Sequence, residues 1–525
     1  MKLPRRAGAI AAVLALLAAG QLGAAMPAQA ASYVPINGAG STWSENAIRQ
    51  WASNVEQYGM RINYDGTGST NGRNQFASGL TDFGVSEIPY GKDDGAATEA
   101  RPKFTFAYMP IVAGGTSFMY NLKVGTRRVT NLRLSGDTLA KIFTGVITTW
   151  NDPAVKADNP GLALPARKVV PVVRSDGSGT TAQFTTWLSN RYPDLWNAYC
   201  RRAGRHTPCG ITSLYPVVSG SAFTAQSGSQ SVAGYVAQQG SEGTITYVEY
   251  SYALYAHFPV VKLRNAANYY VEPTAPAVAV ALLATKINTN TSSPDYLTQD
   301  LRQVYTNPDP RTYPLSSYSY MIIPVDHENT RFKVAKGKTL GDFAYYFLCE
   351  GQQQADQLGY SPLPINLVQA GLAQVRRIPG VVKQSVDIKK CNNPTFSTNG
   401  TNTLARTAPY PSACDKFGAT QCAKGSGGAP GETPNQTGAH PTATGTAPPS
   451  AGPSSSPQID PDTGQVISGS GGGTGDLAEA IPVSVGSEID PGMKTALLVL
   501  SGFLLVLLTV GPPLVARALN RRGRR

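Results

Sequence analysis

Histidine is scarce in this sequence of 525 residues. It occurs four times, and no copy has the neighbours that are typical of a catalytic triad or a metal site: His206, His257, His327 and His440. Cysteine is also rare, and its six copies show no CxxC spacing, which argues against a zinc centre. The sequence therefore predicts a protein without a metal, without a cofactor and without enzymatic activity.

Charged residues are few as well, at 15% of the chain, and this excludes a highly charged disordered protein. In contrast, 41% of the residues are hydrophobic, and 25 Tyr, 15 Phe and 5 Trp can fill a substantial core. At about 150 residues per domain, the length allows two or three domains. The sequence predicts a largely globular protein.

The net charge of +12 is unevenly distributed along the chain. Residues 1–30 and 494–525 contribute nine positive charges and residues 425–493 seven negative ones, which leaves ten positive charges on residues 31–424. A basic folded part favours anionic ligands through its long-range field but does not choose among them. Because much of the charge lies at the termini, the excess does not predict a nucleic-acid partner.

Both ends of the chain carry targeting signals. Residues 1–30 combine a basic start, an apolar run and a small-residue cleavage site, which predicts an export signal peptide, and no cysteine follows that could carry a lipid. Residues 494–516 predict a transmembrane helix, and residues 517–525 form a basic tail. By the positive-inside rule the tail is cytoplasmic, so the folded part lies at the extracellular face of the cell membrane. A buried core helix is the alternative for residues 494–516.

The exported part divides by composition. Residues 425–493 are rich in Gly, Pro, Ser and Thr and cannot bury enough apolar surface to fold, which predicts a stalk. Residues 31–424 alternate short β-rich runs with segments of helical periodicity, and VVPVVRS (169–175) and TITYVEYSYAL (244–254) are two such runs. This alternation predicts an α/β fold with largely parallel sheets.

All six cysteines lie in the exported part, where an oxidising environment favours three disulfides. Six cysteines allow fifteen pairings. Proximity along the chain favours two pairs and leaves a third: Cys200 with Cys209, Cys414 with Cys422, and Cys349 with Cys391.

Three small polar segments stand where a strand or turn is followed by a helix: residues 38–43 (GAGSTW), 66–72 (GTGSTNG) and 176–181 (DGSGTT). A helix N-terminus presents unpaired N–H groups, glycine allows close approach of the backbone, and Ser or Thr adds a hydroxyl donor. Several such ends that converge on one point would surround an oxyanion. The alternative is that these residues only cap helices and turn the chain.

Two charged residues belong to this hypothesis. Arg174 lies two residues before the start of the third segment, where its guanidinium can hold two oxygens of a tetrahedral anion while Asp176 orients it. Glu87 is the acidic residue that we place among the donors, because a carboxylate can accept a hydrogen bond from an anion that carries a proton. A surface ion pair for Arg174 and an exposed position for Glu87 are the alternatives.

These segments resemble the substrate-binding protein of the high-affinity phosphate ABC transporter, in a form with a C-terminal membrane anchor. The resemblance extends over most of residues 31–424 and includes GAGSTW, YDGTGSTNG, DFGVSE, TGVITTWND, VVRSDGSGTT and ADQLGYSPLP in the family's order. It implies a two-lobed class II periplasmic-binding-protein fold whose lobes close over the anion. Lobe 1 would comprise residues 31–110 and 321–400, and lobe 2 residues 111–320.

The resemblance also assigns ligand-binding roles. The first segment would supply hydroxyl and backbone donors, the second a serine, and the third an arginine with three further donors: Thr42 and Trp43, Ser69, and Arg174 with Ser178, Gly179 and Thr180. The family usually has aspartate where this chain has Glu87, so the longer side chain must retract to make the same hydrogen bond. Trp43 stands in place of the usual phenylalanine.

We therefore expect a non-enzymatic protein that captures inorganic phosphate outside the cell and delivers it to the permease subunits of an ABC importer. Two alternatives stay open: a binding protein for another oxyanion or a phosphate ester, and a stalked cell-surface sensing or adhesion protein without a role in transport. A phosphatase is a further alternative, which the lack of a metal cluster and of a plausible base disfavours.

Overall fold

A computed structural model describes residues 33–433 except 93–98, 100, 330, 398, 399 and 432. The chain divides into the units Met1–His440 and Pro441–Arg525, and all described residues belong to the first. The predicted signal peptide, most of the predicted stalk, the predicted transmembrane helix and the basic tail lie outside the described residues. Within the described part, no helix is both long and apolar enough to span a membrane.

Strands and helices alternate along most of the described chain, which has an α/β fold. The strands are β1 (Ile36–Gly40), β2 (Ile62–Asp65), β3 (Phe83–Ser86), β4 (Phe106–Tyr120), β5 (Lys123–Val124), β6 (Arg127–Arg128), β7 (Arg133–Leu134), β8 (Val170–Arg174), β9 (Thr224–Gln226), β10 (Thr244–Glu249), β11 (Lys262–Arg264), β12 (Tyr270–Val271), β13 (Lys286–Ile287), β14 (Gln299–Asp300) and β15 (Ser316–Pro324). The helices are α1 (Glu45–Glu56), α2 (Ser69–Ala77), α3 (Gly136–Phe143), α4 (Pro153–Asp158), α5 (Gly179–Arg191), α6 (Pro193–Arg202), α7 (Ser229–Ala237), α8 (Tyr250–Tyr255), α9 (Ala275–Leu282), α10 (Val334–Leu348), α11 (Ile365–Val375) and α12 (Thr403–Thr407). Short 3-10 helices lie at Val304–Thr306, Glu350–Gln354, Ile388–Cys391 and Ala413–Asp415.

The main sheet has eight strands in the order β2-β1-β3-β15-β4-β10-β8-β9. Its flanks are parallel: β1 pairs in parallel with β2 and β3, and β8 with β9 and β10. Its centre is antiparallel, because β15 runs against both β3 and β4, and β10 runs against β4. The expectation of largely parallel sheets thus holds for the flanks and is wrong for the centre.

Strand β4 runs through both halves of this sheet and pairs with a different neighbour in each half. Its residues Phe106–Gly115 pair with β15, and its residues Thr116–Tyr120 pair with β10. We call β2, β1, β3 and β15 with the first part of β4 the first half, and the rest the second half. Strands β1–β3 run in the direction of β4, whereas β8–β10 run against it. The carboxyl ends of the two parallel flanks therefore face each other.

Helices begin at these facing edges. Helices α1 and α2 follow β1 and β2 in the first half, and α5 and α7 follow β8 and β9 in the second half. Strand β10 ends at Glu249 and continues directly as α8, so the run that we interpreted as one strand, residues 244–254, is a strand and a helix. The Glu249 carboxylate accepts the Ser251 N–H at 2.7 Å and so caps α8. In open α/β sheets, ligands bind outside such carboxyl ends.

Aromatic residues form the core beside each half. Trp51 of α1 stacks on Phe347 of α10 with the ring centroids 5.2 Å apart. On the other side, Phe184 of α5 contacts Phe143 and Tyr247, both with centroids 5.1 Å apart. Helix α1 turns a single apolar face to this core, made of Ala47, Ile48, Trp51 and Val55. This aromatic packing fixes the helices that begin at the facing edges against the strands of their own half.

The folded chain continues beyond residue 424, the boundary that we expected for the stalk. Ser426 N–H donates to the Thr130 carbonyl at 3.0 Å, and Thr130 N–H donates to Thr433 Oγ1 at 2.9 Å. Upstream, Asp415 forms an ion pair with Lys262 of β11 at 3.0 Å. Backbone hydrogen bonds can fix a segment that has few apolar side chains. Ser426 and Thr433 thus pack on the body beyond residue 424, although the composition of this segment predicts a stalk.

Three disulfides close loops of different lengths. The bonds Cys200–Cys209, Cys414–Cys422 and Cys349–Cys391 span 9, 8 and 42 residues, respectively. These are the pairs that proximity along the chain predicted. The bond that closes the longest loop joins Cys349, directly after α10, to Cys391 at the end of the 3-10 helix Ile388–Cys391.

Replacing Cys349 and Cys391 by serine is expected to destabilise the protein more than the same change at Cys414 and Cys422. By the loop-entropy relation, the first change lowers the free energy of unfolding by about 4 kcal/mol and the second by about 2.5 kcal/mol. Urea unfolding of the full chain in mild detergent measures both. Equal losses would contradict a loop-length effect.

Candidate functional site

The three predicted loops meet between the facing edges of the two halves. Thr70 N–H donates to the Gly177 carbonyl at 3.0 Å, and Gly179 N–H donates to Ser69 Oγ at 3.1 Å. The second loop is thereby bonded to the third across the halves. In the first loop, Ser41 N–H donates to the Val85 carbonyl of β3 at 3.0 Å, which places this loop beside Glu87.

Glu87 follows β3 and is fully buried. Its carboxylate accepts three serine hydroxyls: Ser41 Oγ at 2.5 Å and Ser319 Oγ at 2.8 Å on Oε1, and Ser69 Oγ at 2.8 Å on Oε2. Burial raises the pKa of Glu87, although the three hydroxyl hydrogen bonds act in the opposite direction. The exposed position that we considered as an alternative is wrong.

Gly179 brings the start of α5 into direct contact with this carboxylate. A Cβ atom on Gly179 would overlap Glu87 Oε2 and would lie 2.5 Å from Ser69 Oγ. A residue with a side chain therefore cannot stand here unless the carboxylate moves or the halves separate. The positive end of the α5 dipole thus lies against Oε2.

Arg174, at the end of β8, is 2% exposed and points into the same region. Its Nε donates to Asp176 Oδ1 at 2.6 Å, its Nη2 pairs with Asp176 Oδ2, and its Nη1 donates to Ser229 Oγ at 3.1 Å. Burial would raise the pKa of Asp176, but the hydrogen bonds and charge of Arg174 outweigh it and lower that pKa. Within the described chain, three of the five guanidinium N–H groups thus have partners, which leaves two for an anion.

Thr42 and Ser229 join the first half to the N-terminus of α7. Thr42 Oγ1 lies 2.7 Å from Ser229 Oγ and accepts the Ser229 N–H at 3.2 Å. Tyr252 of α8 donates its hydroxyl to the Thr42 carbonyl at 2.5 Å. Thr42 is therefore held by two helices of the second half.

The other predicted site residues differ in their contacts and in their distance from the polar cluster. The indole of Trp43 packs on Tyr360 in the core, with centroids 5.7 Å apart, and its backbone N–H donates to Ser41 Oγ at 2.9 Å. Ser178 caps α5 by accepting the Thr181 N–H at 3.2 Å. Thr180 is buried, and its hydroxyl has no hydrogen-bond partner among the described residues. The side chain of Trp43 thus lies apart from the polar cluster.

Sequence reasoning missed three serines of this cluster: Ser41, Ser229 and Ser319. Ser41 is the neighbour of Thr42, and Ser229 follows Gly228 at a helix start, a pattern shared with Gly68-Ser69 that could have revealed it. Ser319 lies inside β15 and has no local signal in the sequence.

The cluster combines neutral donors with a compensated charge. Hydroxyl and backbone N–H groups surround Glu87, and Arg174 is paired with Asp176. Such an arrangement can bind a small oxyanion through neutral donors and one guanidinium. Within the described residues, no three His, Cys, Asp or Glu side chains are grouped as a metal ion would require.

Comparison with known proteins first defines the class. A family model described as the PBP superfamily domain matches residues 25–350, which is more than half of the chain. A solved structure, that of a high-affinity periplasmic phosphate-binding protein (PfluDING) bound with phosphate, has a similar fold with a TM-score of 0.50. The similarity covers 69% of this chain and 98% of that one at 21% identity. The fold is that of a periplasmic-binding protein.

Relatives narrow this class. The chain is 30% identical over 356 residues to the phosphate-binding protein PstS of Methanocaldococcus jannaschii, which covers 66% of this chain and 87% of that protein. It is 33% identical over 338 residues to the phosphate-binding protein PstS of Xylella fastidiosa, which covers 64% and 83%, respectively. The chain therefore belongs to the family of phosphate-binding proteins.

A second buried acid, Glu249, makes stability depend on pH. Burial raises its pKa well above the usual value, so the folded state holds the proton more tightly than the unfolded state. The contribution of Glu249 to the free energy of unfolding therefore falls as the pH rises from about 4.3, its pKa in the unfolded chain, towards its pKa in the folded chain.

We expect the Glu249→Gln variant to lack this dependence. Its free energy of unfolding should rise relative to wild type by up to about 1.4 kcal/mol for each pH unit above about 4.5. Urea unfolding at pH 4.5, 5.5 and 6.5 measures the difference, with the exposed Glu56→Gln as control. A difference that stays constant with pH would show that Glu249 does not titrate between the two states.

Proposed function

We propose that this chain captures inorganic phosphate outside the cell and delivers it to the permease subunits of an ABC importer. The observation that carries the proposal is the convergence of Arg174, Glu87 and the N-termini of α2, α5 and α7 on one buried place. Helix N-termini and a guanidinium suit a phosphate group, and the family supports the same ligand.

The ligand-binding set that we propose is the one predicted from the sequence, with Ser229 added. Its members come from both halves of the sheet: Thr42, Trp43 through its backbone, Ser69 and Glu87 from the first, and Arg174, Ser178, Gly179, Thr180 and Ser229 from the second. Asp176 orients Arg174 from behind.

We further propose that the halves move as the two lobes of a class II binding protein. The site residues are nearly fully buried, so a ligand can enter only when the halves separate. A ligand that contacts both halves binds the closed arrangement more tightly and shifts the population towards it. In this proposal the first half, with β4 up to Gly115 and β15 from Ser316, moves against the second half, so both hinge positions lie within the segment 111–320 that we predicted as lobe 2 from the sequence.

Selectivity comes from the place of Glu87 among the donors. At neutral pH phosphate carries at least one proton and can donate it to a carboxylate, whereas sulfate carries none. A sulfate ion would therefore face a buried and unpaired carboxylate, which is strongly unfavourable. The chain binds its ligand without converting it; its membership of a family of binding proteins supports this part of the proposal.

We also propose, from the sequence alone, that the chain is tethered to the membrane. An exported body, a stalk and a transmembrane helix at residues 494–516 would keep the binding protein at the extracellular face, close to its permease. A flexible chain of this length has an end-to-end distance of about 45 Å, which allows the body to reach a neighbouring membrane protein.

The proposal is tested by calorimetric titration of the full chain in mild detergent, after bound phosphate has been removed. At pH 7 we expect tight binding of phosphate and binding of sulfate that is weaker by about 100-fold or more, because sulfate leaves Glu87 unpaired. Similar affinities for both anions would favour a general oxyanion-binding protein. Failure to bind phosphate would exclude the proposed function.

Arg174→Ala is expected to weaken phosphate binding by about 100-fold or more, because the anion loses charge-assisted hydrogen bonds in a buried site. Arg302→Ala is a matched control, since Arg302 also pairs with an aspartate two residues away, Asp300, but is 73% exposed. Calorimetry of both variants measures the effect. If Arg174→Ala binds like Arg302→Ala, the site assignment is wrong.

A further inference from the structure

The two oxygens of the Glu87 carboxylate have different surroundings. Oε1 accepts the hydroxyls of Ser41 at 2.5 Å and Ser319 at 2.8 Å, which both belong to the first half. Oε2 accepts Ser69 Oγ and lies against Gly179 of the second half. One oxygen thus faces the interior of a single half, and the other faces the junction where the ligand would bind.

Strand pairing delivers Ser319 to this place. Tyr320 of β15 is opposite Ser86 of β3, so Ser319 and Glu87 are the next residues along the two antiparallel strands. The register between β15 and β4 shifts between Ser319 and Tyr320. A bulge at this point re-aims a side chain, and Ser319 is fully buried. Its hydroxyl lies 2.8 Å from Glu87 Oε1 and 3.0 Å from Ser44 Oγ. Because a carboxylate is a stronger acceptor than a hydroxyl, the single proton of Ser319 is directed at Oε1, and the Ser44 hydroxyl can donate to Ser319 Oγ.

The hydroxyl of Ser41 is oriented by its own backbone partners. Its oxygen accepts the N–H groups of Trp43 at 2.9 Å and Ser44 at 3.4 Å, so its single proton is free for Glu87 Oε1. Oε1 is therefore fixed by two donors that do not depend on any ligand.

We propose that Ser319, together with Ser41, is a positioning residue for phosphate recognition, which holds Glu87 Oε1 so that Oε2 accepts the proton-bearing oxygen of the anion. This inference rests on the proposed function. It assigns the discrimination between phosphate and sulfate to the serines behind the carboxylate as well as to the carboxylate itself.

The physical reason is the length of the glutamate side chain. Its three side-chain torsions allow many placements of the carboxylate, and two hydroxyls on one oxygen select a single placement. The same hydroxyls stabilise the ionised form in a fully buried place. A carboxylate that loses these hydroxyl hydrogen bonds takes up a proton more readily. The protonated carboxyl group can donate a hydrogen bond to an anion, and both sulfate and phosphate can accept it.

Ser319→Ala in the full chain tests the proposal. We expect phosphate affinity to fall about tenfold or more, as for other hydrogen bonds to charged groups, while sulfate affinity stays the same or rises. Calorimetry measures phosphate binding, and competition with sulfate gives the ratio of the two affinities. The ratio is the informative readout, because a merely structural defect lowers both affinities together.

Ser317→Ala is the matched control. Ser317 lies two residues earlier on the same face of β15 and is 2% exposed, but its hydroxyl has no hydrogen-bond partner within the described chain. This variant should keep the wild-type affinity and ratio. Ser319→Cys retains the volume of the side chain but replaces the hydroxyl with a weak donor, and it covers the case in which the alanine variant does not fold.

A double-mutant cycle with Glu87→Asp separates positioning from a general effect. An aspartate side chain is shorter than a glutamate side chain by one C–C bond, about 1.5 Å. Its carboxylate therefore lies too far from the Ser319 hydroxyl to accept the same hydrogen bond. In the Glu87→Asp background, Ser319→Ala should therefore change phosphate affinity by less than about twofold.

The outcomes are distinct. An equal loss of both affinities, a ratio unchanged in Ser319→Ala and Ser319→Cys, or the same loss in the Glu87→Asp background would overturn the positioning role. These outcomes concern the variants alone, so the proposed function survives each of them as long as the wild-type protein binds phosphate selectively. If wild type itself fails to bind phosphate, the proposed function fails before the variants are compared.

Discussion

A buried carboxylate must find its partners inside the protein, and Glu87 imposes this constraint on the whole site. Its three serine donors come from the first loop, from the start of α2 and from β15, and its free side lies against α5. Because an unpaired buried charge costs several kcal/mol, these four segments have to meet. The arrangement of the two halves of the sheet brings these four segments together around Glu87.

This arrangement works because of the directions of the strands. Parallel flanks deliver helix N-termini to one edge, and β4, shared by the two halves, makes those edges face each other. A wholly parallel sheet would place all the carboxyl ends on one side, and no ligand could then be enclosed between two sets of N-termini. The antiparallel centre is therefore the feature that makes the proposed binding site possible between two α/β layers.

Local patterns predicted the elements of this site well, and pairing between distant strands was not predictable. The loops around Thr42, Ser69 and Gly179 are visible because glycine and hydroxyl residues at helix starts have a local cause. Ser319 sits in a buried strand, and its role exists only through the register with β3. The packing of Ser426 and Thr433 was missed for a similar reason, since composition does not report hydrogen bonds to Thr130.

Charge balance explains how such a site can distinguish anions of similar shape. The positive charge of Arg174 is largely compensated by Asp176, and Glu87 adds a negative charge, so the attraction cannot come from net charge alone. It has to come from oriented dipoles, the hydroxyls and the helix N-termini, which favour any oxyanion about equally. Among the described residues of the proposed site, the group that would treat phosphate and sulfate differently is the acceptor, Glu87. In the proposed function, selectivity therefore depends on keeping Glu87 ionised and in place, and the residues that surround Glu87 perform that task.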